Sequence, residues 1–165
     1  PNKQNVIILN SEKSPCLNRV ILRLDSLRAA NPQLKLTFFG HTEWLMYAKY
    51  NMGKYCTYDT YIPAYFYYNA MSQATGNFER SYKQWFRADM QDYLPRFAIT
   101  GYDHGVFFLR GLHQYGVKFN GSTADKTALQ TRLHFQKVGK TGGYQNTSFL
   151  FVHYNKDNSI STINF

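Results

Sequence analysis

The sequence predicts an α/β fold: a three-layer α/β/α arrangement around a mixed, mostly parallel sheet, with a C-terminal β-hairpin. Three observations predict it. The first forty residues alternate strand, helix and strand, which is the pattern of a β-α-β unit with a right-handed crossover. Two later stretches, around Phe78–Phe86 and Val106–Leu112, space their apolar residues as helices do. Beyond residue 128 the period changes to two, the signature of strands with one wet face.

Val6, Ile7, Ile8 and Leu9 form an unbroken β-branched and apolar run, read as a buried parallel strand over 5–9. A helix follows, with Ser14 as N-cap and Pro15 at the first helical position. Leu17, Val20, Ile21, Leu24 and Leu27 fall on one face, and Asn31-Pro32 ends it. Residues 35–39 read as a second strand closing on Gly40. Thr42 is placed to cap a short helix running to about Tyr50, with Gly53 breaking the chain.

Residues 57–68 read as an extended, aromatic strand in which Pro63 marks an edge, bend or bulge. Phe78, Tyr82, Trp85 and Phe86 form an aromatic stripe on an amphipathic helix from Asn77 to about Met90, read as core packing. A further helix rich in Val106, Phe107, Phe108, Leu109 and Leu112 ends at Gly116, a suitable C-cap. Leu129, Thr131, Leu133 and Phe135 alternate with Gln130, Arg132, His134 and Gln136, predicting a strand over 129–136. Residues 139–143 make a turn, and strands over 148–154 and 159–163 flank a tight turn at 155–158.

With 165 residues and 44% hydrophobic content the chain can bury a core, and 1–165 is read as a single α/β domain. No run of 18 apolar residues exists, so no membrane span is expected, and the first residues lack the layout of a secretion signal. The strand begins almost at once, which suggests a natural polypeptide cut upstream of Pro1. The net charge of +9 suits an anionic partner, yet Lys and Arg are spread from Lys3 to Lys156 without a block, so nucleic-acid binding is not expected. Cys16 and Cys56 match no zinc or thioredoxin spacing; a disulfide and two buried thiols both remain open. The aromatic content is high, with 14 Tyr and 13 Phe, which serves a core and also clefts or interfaces.

The motifs of catalysis are absent. There is no Gly-x-Ser-x-Gly elbow, Walker loop, Gly-x-Gly-x-x-Gly or His-Glu-x-x-His, and the five histidines never share metal-ligand spacing on one helix face. His134 and His153 could be neighbours across the terminal hairpin, but no third ligand can be named. No catalytic set, metal or cofactor is expected, and the chain is read as a non-enzyme. Binding at strand ends remains, because open α/β sheets hold ligands beyond the carboxyl ends of parallel strands, where helix starts point N–H groups outward. Two such ends are visible: Ser11 and Glu12 after the first strand, and His41, Glu43 and Trp44 after the second. In one reading these supply hydroxyl, carboxylate and aromatic contacts to a small ligand. In the other, Ser11 and Thr42 cap helices, Glu43 faces a helix dipole and Trp44 is core.

The segment 5–9, the Leu-rich helix, and the run Leu36-Thr37-Phe38-Phe39-Gly40-His41-Thr42-Glu43-Trp44 resemble the second lobe of type I periplasmic binding proteins of the branched-chain amino-acid type. Residues 58–68 look like the strand leaving that lobe. Phe78 to Trp85 are similar to the helix before the crossover, and Pro95-Arg96-Phe97-Ala98-Ile99-Thr100-Gly101-Tyr102-Asp103 to the return into the first lobe. Residues 129–163 look like the closing hairpin. The nearest resemblance is to divergent domains attached to LysM peptidoglycan-binding modules in envelope proteins of Gram-negative bacteria. The resemblance implies the C-terminal portion of a two-lobed solute-binding protein in the periplasm or cell envelope. Its ligand would be an amino acid or a cell-wall fragment; the alternative is a scaffold domain holding peptidoglycan, a protein partner or a second copy as a homodimer. By position, Glu43 is similar to an acid that contacts a ligand amino group, Ser11 lies in the matching loop, and Asp103 is structural. The chain departs from the family in having about half its usual length and in His41-Thr42, where relatives carry an aromatic-Pro pair.

Overall fold

A computed structural model describes residues 3–123 and 127–165. The chain is mixed α/β and packs as two compact units, one of residues 1–64 and 150–164, the other of 65–149 with Phe165. The reading of 1–165 as one domain did not anticipate this discontinuous division.

The first unit holds a five-stranded mixed sheet. Its strands are β1 (Gln4–Ile8), β2 (Lys35–Phe39), β3 (Thr60–Ala64), β6 (Leu150–Tyr154) and β7 (Ile160–Asn164), in the order β1-β2-β3-β6-β7. β1, β2 and β3 pair in parallel; β6 and β7 each pair antiparallel to their inner neighbour. Helix α1 (Ser14–Ala30) links β1 to β2, and a 3₁₀ helix (Thr42–Tyr47) running into α2 (Ala48–Thr57) links β2 to β3. Both crossovers step the same way along the sheet, so right-handedness puts both helical segments on one face. Burial agrees: Leu36, Phe38, Thr60, Ile62, Ala64, Leu150, Val152 and Tyr154 are buried and share a face by register. α1 closes it with Leu17, Ile21 and Leu24, and α2 with Tyr55 and Cys56.

The opposite face carries Val6, Ile8, Phe39, Tyr61, Phe151 and His153. Phe39 stacks on Tyr61 at 5.2 Å between centroids and meets the edge of Phe151 at 5.7 Å. The buried strand expected at 5–9 is a parallel strand but an exposed one. As the sheet edge it leaves Val6 and Ile8 55% and 76% exposed.

Helix starts shift by a residue from expectation: Lys13, not Ser14, is the N-cap of α1. α2 runs through Gly53, where a break was expected, because burying Tyr55 and Cys56 outweighs the roughly 1 kcal/mol that a mid-helix glycine costs.

The second unit contains α3 (Gln73–Phe86), α4 (Phe97–Tyr115) and a small hairpin of β4 (Phe135–Lys137) and β5 (Tyr144–Asn146). α4 buries Ile99, Asp103, Phe107 and Gly111, one stripe at a spacing of four. Gly111 is required there, since a Cβ would lie 2.1 Å from the Phe119 ring. Gly116 caps the helix with φ +54°, as its place in the sequence predicts.

The strand expected over 129–136 is present only from Phe135. Asp103 explains the difference: its carboxylate accepts the backbone N–H groups of Leu129, Gln130 and Thr131 at 2.8, 2.9 and 2.8 Å. Three consecutive amides aimed at one carboxylate cannot belong to an extended strand, whose N–H groups alternate in direction. Gln130, expected on a wet face, is buried instead and accepts from the Arg96 N–H at 2.9 Å.

Candidate functional site

Parallel pairing brings the exits of β1 and β2 to the same end of the sheet. Ile8 lies opposite Phe39, the Leu9 N–H donates to the Phe39 carbonyl at 3.2 Å, and the two following loops leave side by side. The first loop carries Ser11 and Glu12, the second His41, Thr42, Glu43 and Trp44.

Trp44 joins them. It is fully buried, with its ring 4.9 Å from Phe38 and 6.2 Å from Tyr55, and its indole N–H donates to the Ser11 carbonyl at 2.8 Å. Gly40 is the counterpart of that ring, because any Cβ there would stand 2.2 Å from it. Of the two readings of this side chain, ligand cover or core, the structure matches the second: it is a brace beneath the loops. Its face is occupied by neighbouring rings.

Ser11, His41 and Glu43 are half-buried and Glu12 is exposed. The Ser11 hydroxyl accepts weakly from the Lys13 N–H at 3.4 Å. Thr42 does not cap the 3₁₀ helix; its hydroxyl donates to the Pro63 carbonyl at 2.8 Å and fastens the loop to β3. Glu43 pairs with His41 Nδ1, and the two side chains remain 37% and 39% exposed. The His41 hydrogen bond holds the Glu43 carboxyl below its usual range, against a smaller upward push from burial. The result is an ionised carboxylate at the sheet edge, steadied from one side and open to solvent. Neither helical segment starting at this edge has a side-chain cap.

No family model, curated protein or solved structure matches this chain. The chemistry of the site therefore rests on its own residues. Among the described residues, no three His, Cys, Asp or Glu side chains are grouped to hold a metal ion, and no helix is long and apolar enough to cross a membrane. Cys16 and Cys56 are both free thiols, the latter buried and its thiol pushed up by that burial.

Two features escaped the sequence reading. The first is a pair on the sheet face opposite the helices, where His153 Nε2 meets Asp59 Oδ1 at 2.8 Å and the imidazole stacks on Tyr61 at 3.9 Å. His153 was considered beside His134, but its neighbours are Tyr61 on β3 and Ser161 on β7. Ninety-four residues separate it from Asp59, and no local pattern announces such a pair. The second is the aromatic stripe of α3. Expected in the core, it leaves Trp85 and Phe86 84% and 66% exposed, at a cleft of about 570 Å³ floored by Phe78, Tyr82 and Tyr102.

Proposed function

We propose that the chain is a solute-binding or solute-sensing module of the periplasm or cell envelope, without catalysis, holding an amino acid or cell-wall fragment at the exits of β1 and β2. One observation carries the reading: Ser11 and Glu43, 32 residues apart in sequence, flank one sheet edge on loops braced by the Trp44–Ser11 hydrogen bond. A carboxylate ionised at neutral pH suits a ligand ammonium group, and the Ser11 hydroxyl and exposed Glu12 supply further polar contacts. The resemblance to the second lobe of type I periplasmic binding proteins supports the same assignment, although both helical crossovers lie on one face of the sheet and not on both as a three-layer arrangement requires. It rests on the order of motifs.

The test is thermal-shift and calorimetric titration with free amino acids and soluble muropeptides, on wild type and Glu43→Gln. A ligand at 100 times its Kd should stabilise the folded state by about 2.7 kcal/mol, and the substitution should remove most of that gain. No response from wild type to either ligand class overturns the reading.

A second reading, an envelope scaffold that holds peptidoglycan or a protein partner, is favoured by the exposed rings of α3. Trp85 and Phe86 stand beside the Asn77 amide and the Ser81 hydroxyl, a combination of apolar faces and hydrogen-bonding groups suited to sugar rings. Co-sedimentation with purified peptidoglycan separates the two: a scaffold binds it with Glu43→Gln and loses it with Trp85→Ala.

A further inference from the structure

The cations of this chain are scattered in sequence, yet three of them meet in space. Arg28 in the last turn of α1, Lys35 at the start of β2 and Lys156 in the turn between β6 and β7 line one cavity of about 390 Å³. Leu36, Cys56 and Tyr58 form its buried floor, and the three cations are exposed at its rim. All of these residues belong to the first unit. Strand direction places the cavity at the end of the sheet where β2 and β3 begin, opposite the end that carries Ser11 and Glu43. None of its lining comes from β1 or from the residues before it.

No acidic side chain among the described residues lines this cavity. The neighbouring acids are turned to other partners. Asp25 accepts from the Tyr58 hydroxyl at 2.5 Å and from Lys54 Nζ at 2.6 Å, and Asp157 accepts from the Ser159 N–H at 2.9 Å and its hydroxyl at 2.6 Å. Asp59 pairs closely with His153 and reaches Lys156 only at 3.8 Å. Arg28 and Lys35 have no ion-pair partner among the described residues. A cation in a last helical turn faces the negative end of the helix dipole, which gives Arg28 a structural reason to be there. Lys35 opens a strand and Lys156 sits in a turn, so the same reason does not cover them. A sphere of the cavity's volume is about 9 Å across, close to the Debye length of about 8 Å at physiological salt, so the three charges act together on whatever stands among them. Like charges that converge in this way cost stability unless an anion offsets them.

We propose that this cavity is a second binding site, for a small oxyanion carrying two or more negative charges. Arg28 supplies a planar fork of N–H donors that matches phosphate or carboxylate oxygens two at a time, and Lys35 and Lys156 add compact charges with rotatable donors. The Asn158 side chain, on a turn residue held at φ +66°, brings an amide donor to the same cavity. A concave site with a buried floor favours a compact guest over a polymer, for which cations would run as a stripe along the surface. More than one negative charge is needed because three cations face the guest and Asp59 answers only part of one. The cavity shares no residue with the Ser11–Glu43 edge, so this site stands or falls independently of the function proposed there.

Calorimetric titration with pyrophosphate and with citrate, at an ionic strength held constant by sodium chloride, tests this. Wild type should bind one anion per chain. Preference for pyrophosphate marks a phosphate-bearing ligand and preference for citrate a polycarboxylate, and either supports the site. Arg28→Gln and Lys35→Gln should each weaken binding at least tenfold. Lys140→Gln, the same loss of charge in an exposed turn of the other unit, should leave it unchanged, as should Glu43→Gln. Without anion, Lys35→Gln should unfold at or above the wild-type temperature, because it relieves repulsion, which separates lost binding from lost fold. Binding of neither probe overturns the proposal. So does weakening by Lys140→Gln as large as that by Lys35→Gln, the mark of diffuse attraction to a chain of net charge +9.

Discussion

The indole N–H of Trp44 donates to the backbone carbonyl of Ser11 at 2.8 Å, across 33 positions of sequence. Replacing it by Phe keeps a large ring between Phe38 and Tyr55 but leaves that carbonyl short of a partner. The substitution should cost about 1–3 kcal/mol, the range for a buried polar group left unsatisfied. The midpoint of urea unfolding, at unchanged slope, measures it.

Gly40 should tolerate no side chain. Gly40→Ala brings a methyl group to 2.2 Å from the Trp44 ring, so the ring or the loop must move. A loss of about 1–3 kcal/mol is expected from overpacking. In Trp44→Phe the same alanine should cost less, because a smaller ring vacates part of the space, and a double-mutant cycle reads that coupling directly.

The two loops were legible in outline because an unbroken apolar run, a helix of period 3.6 and a second short strand follow one another in the first forty residues, and parallel pairing follows from a β-α-β order. Whether Trp44 covers a ligand or packs in the core stayed open, and the structure gives the core reading, since Gly40 and Trp44 reveal their fit only in three dimensions. The irregular 129–134 segment was misread for a similar reason. Its alternation of apolar and polar residues imitates a strand, and the deciding carboxylate, Asp103, lies 26 residues upstream of Leu129. α2 shows the converse, a glycine signal overridden by burial of residues beyond it.

Asp103→Asn should destabilise the second unit. An amide has one acceptor oxygen where the carboxylate uses two, and its NH₂ group would face a backbone donor. Loss of about 1.5–3 kcal/mol is expected, the range for hydrogen bonds to a charged group. Hydrogen exchange should show the Leu129, Gln130 and Thr131 amides losing protection first.

Acid should expose the Glu43–His41 pair. The folded-state carboxyl titrates below its unfolded value of 4.5, so the pair's contribution is fully present above that value and is lost as pH falls through the folded-state pKa. Wild type should exceed Glu43→Gln by no more than about 1 kcal/mol at neutral pH, because both partners are more than one-third exposed. Thermal unfolding as a function of pH should show that gap closing on acidification below about pH 4.5. A gap independent of pH would assign the effect to packing.

β3 lies at the centre of the first sheet, and its far neighbour β6 is encoded only after residues 65–149 have been made. During synthesis on the ribosome the parallel β1-β2-β3 portion must wait with an unfilled inner edge at β3 while the whole second unit emerges. Only residues 150–164 can seal it. The order of manufacture thus makes 150–164 the closing piece of the unit that began first, and a nascent chain stalled before Leu150 would present that edge to any passing strand.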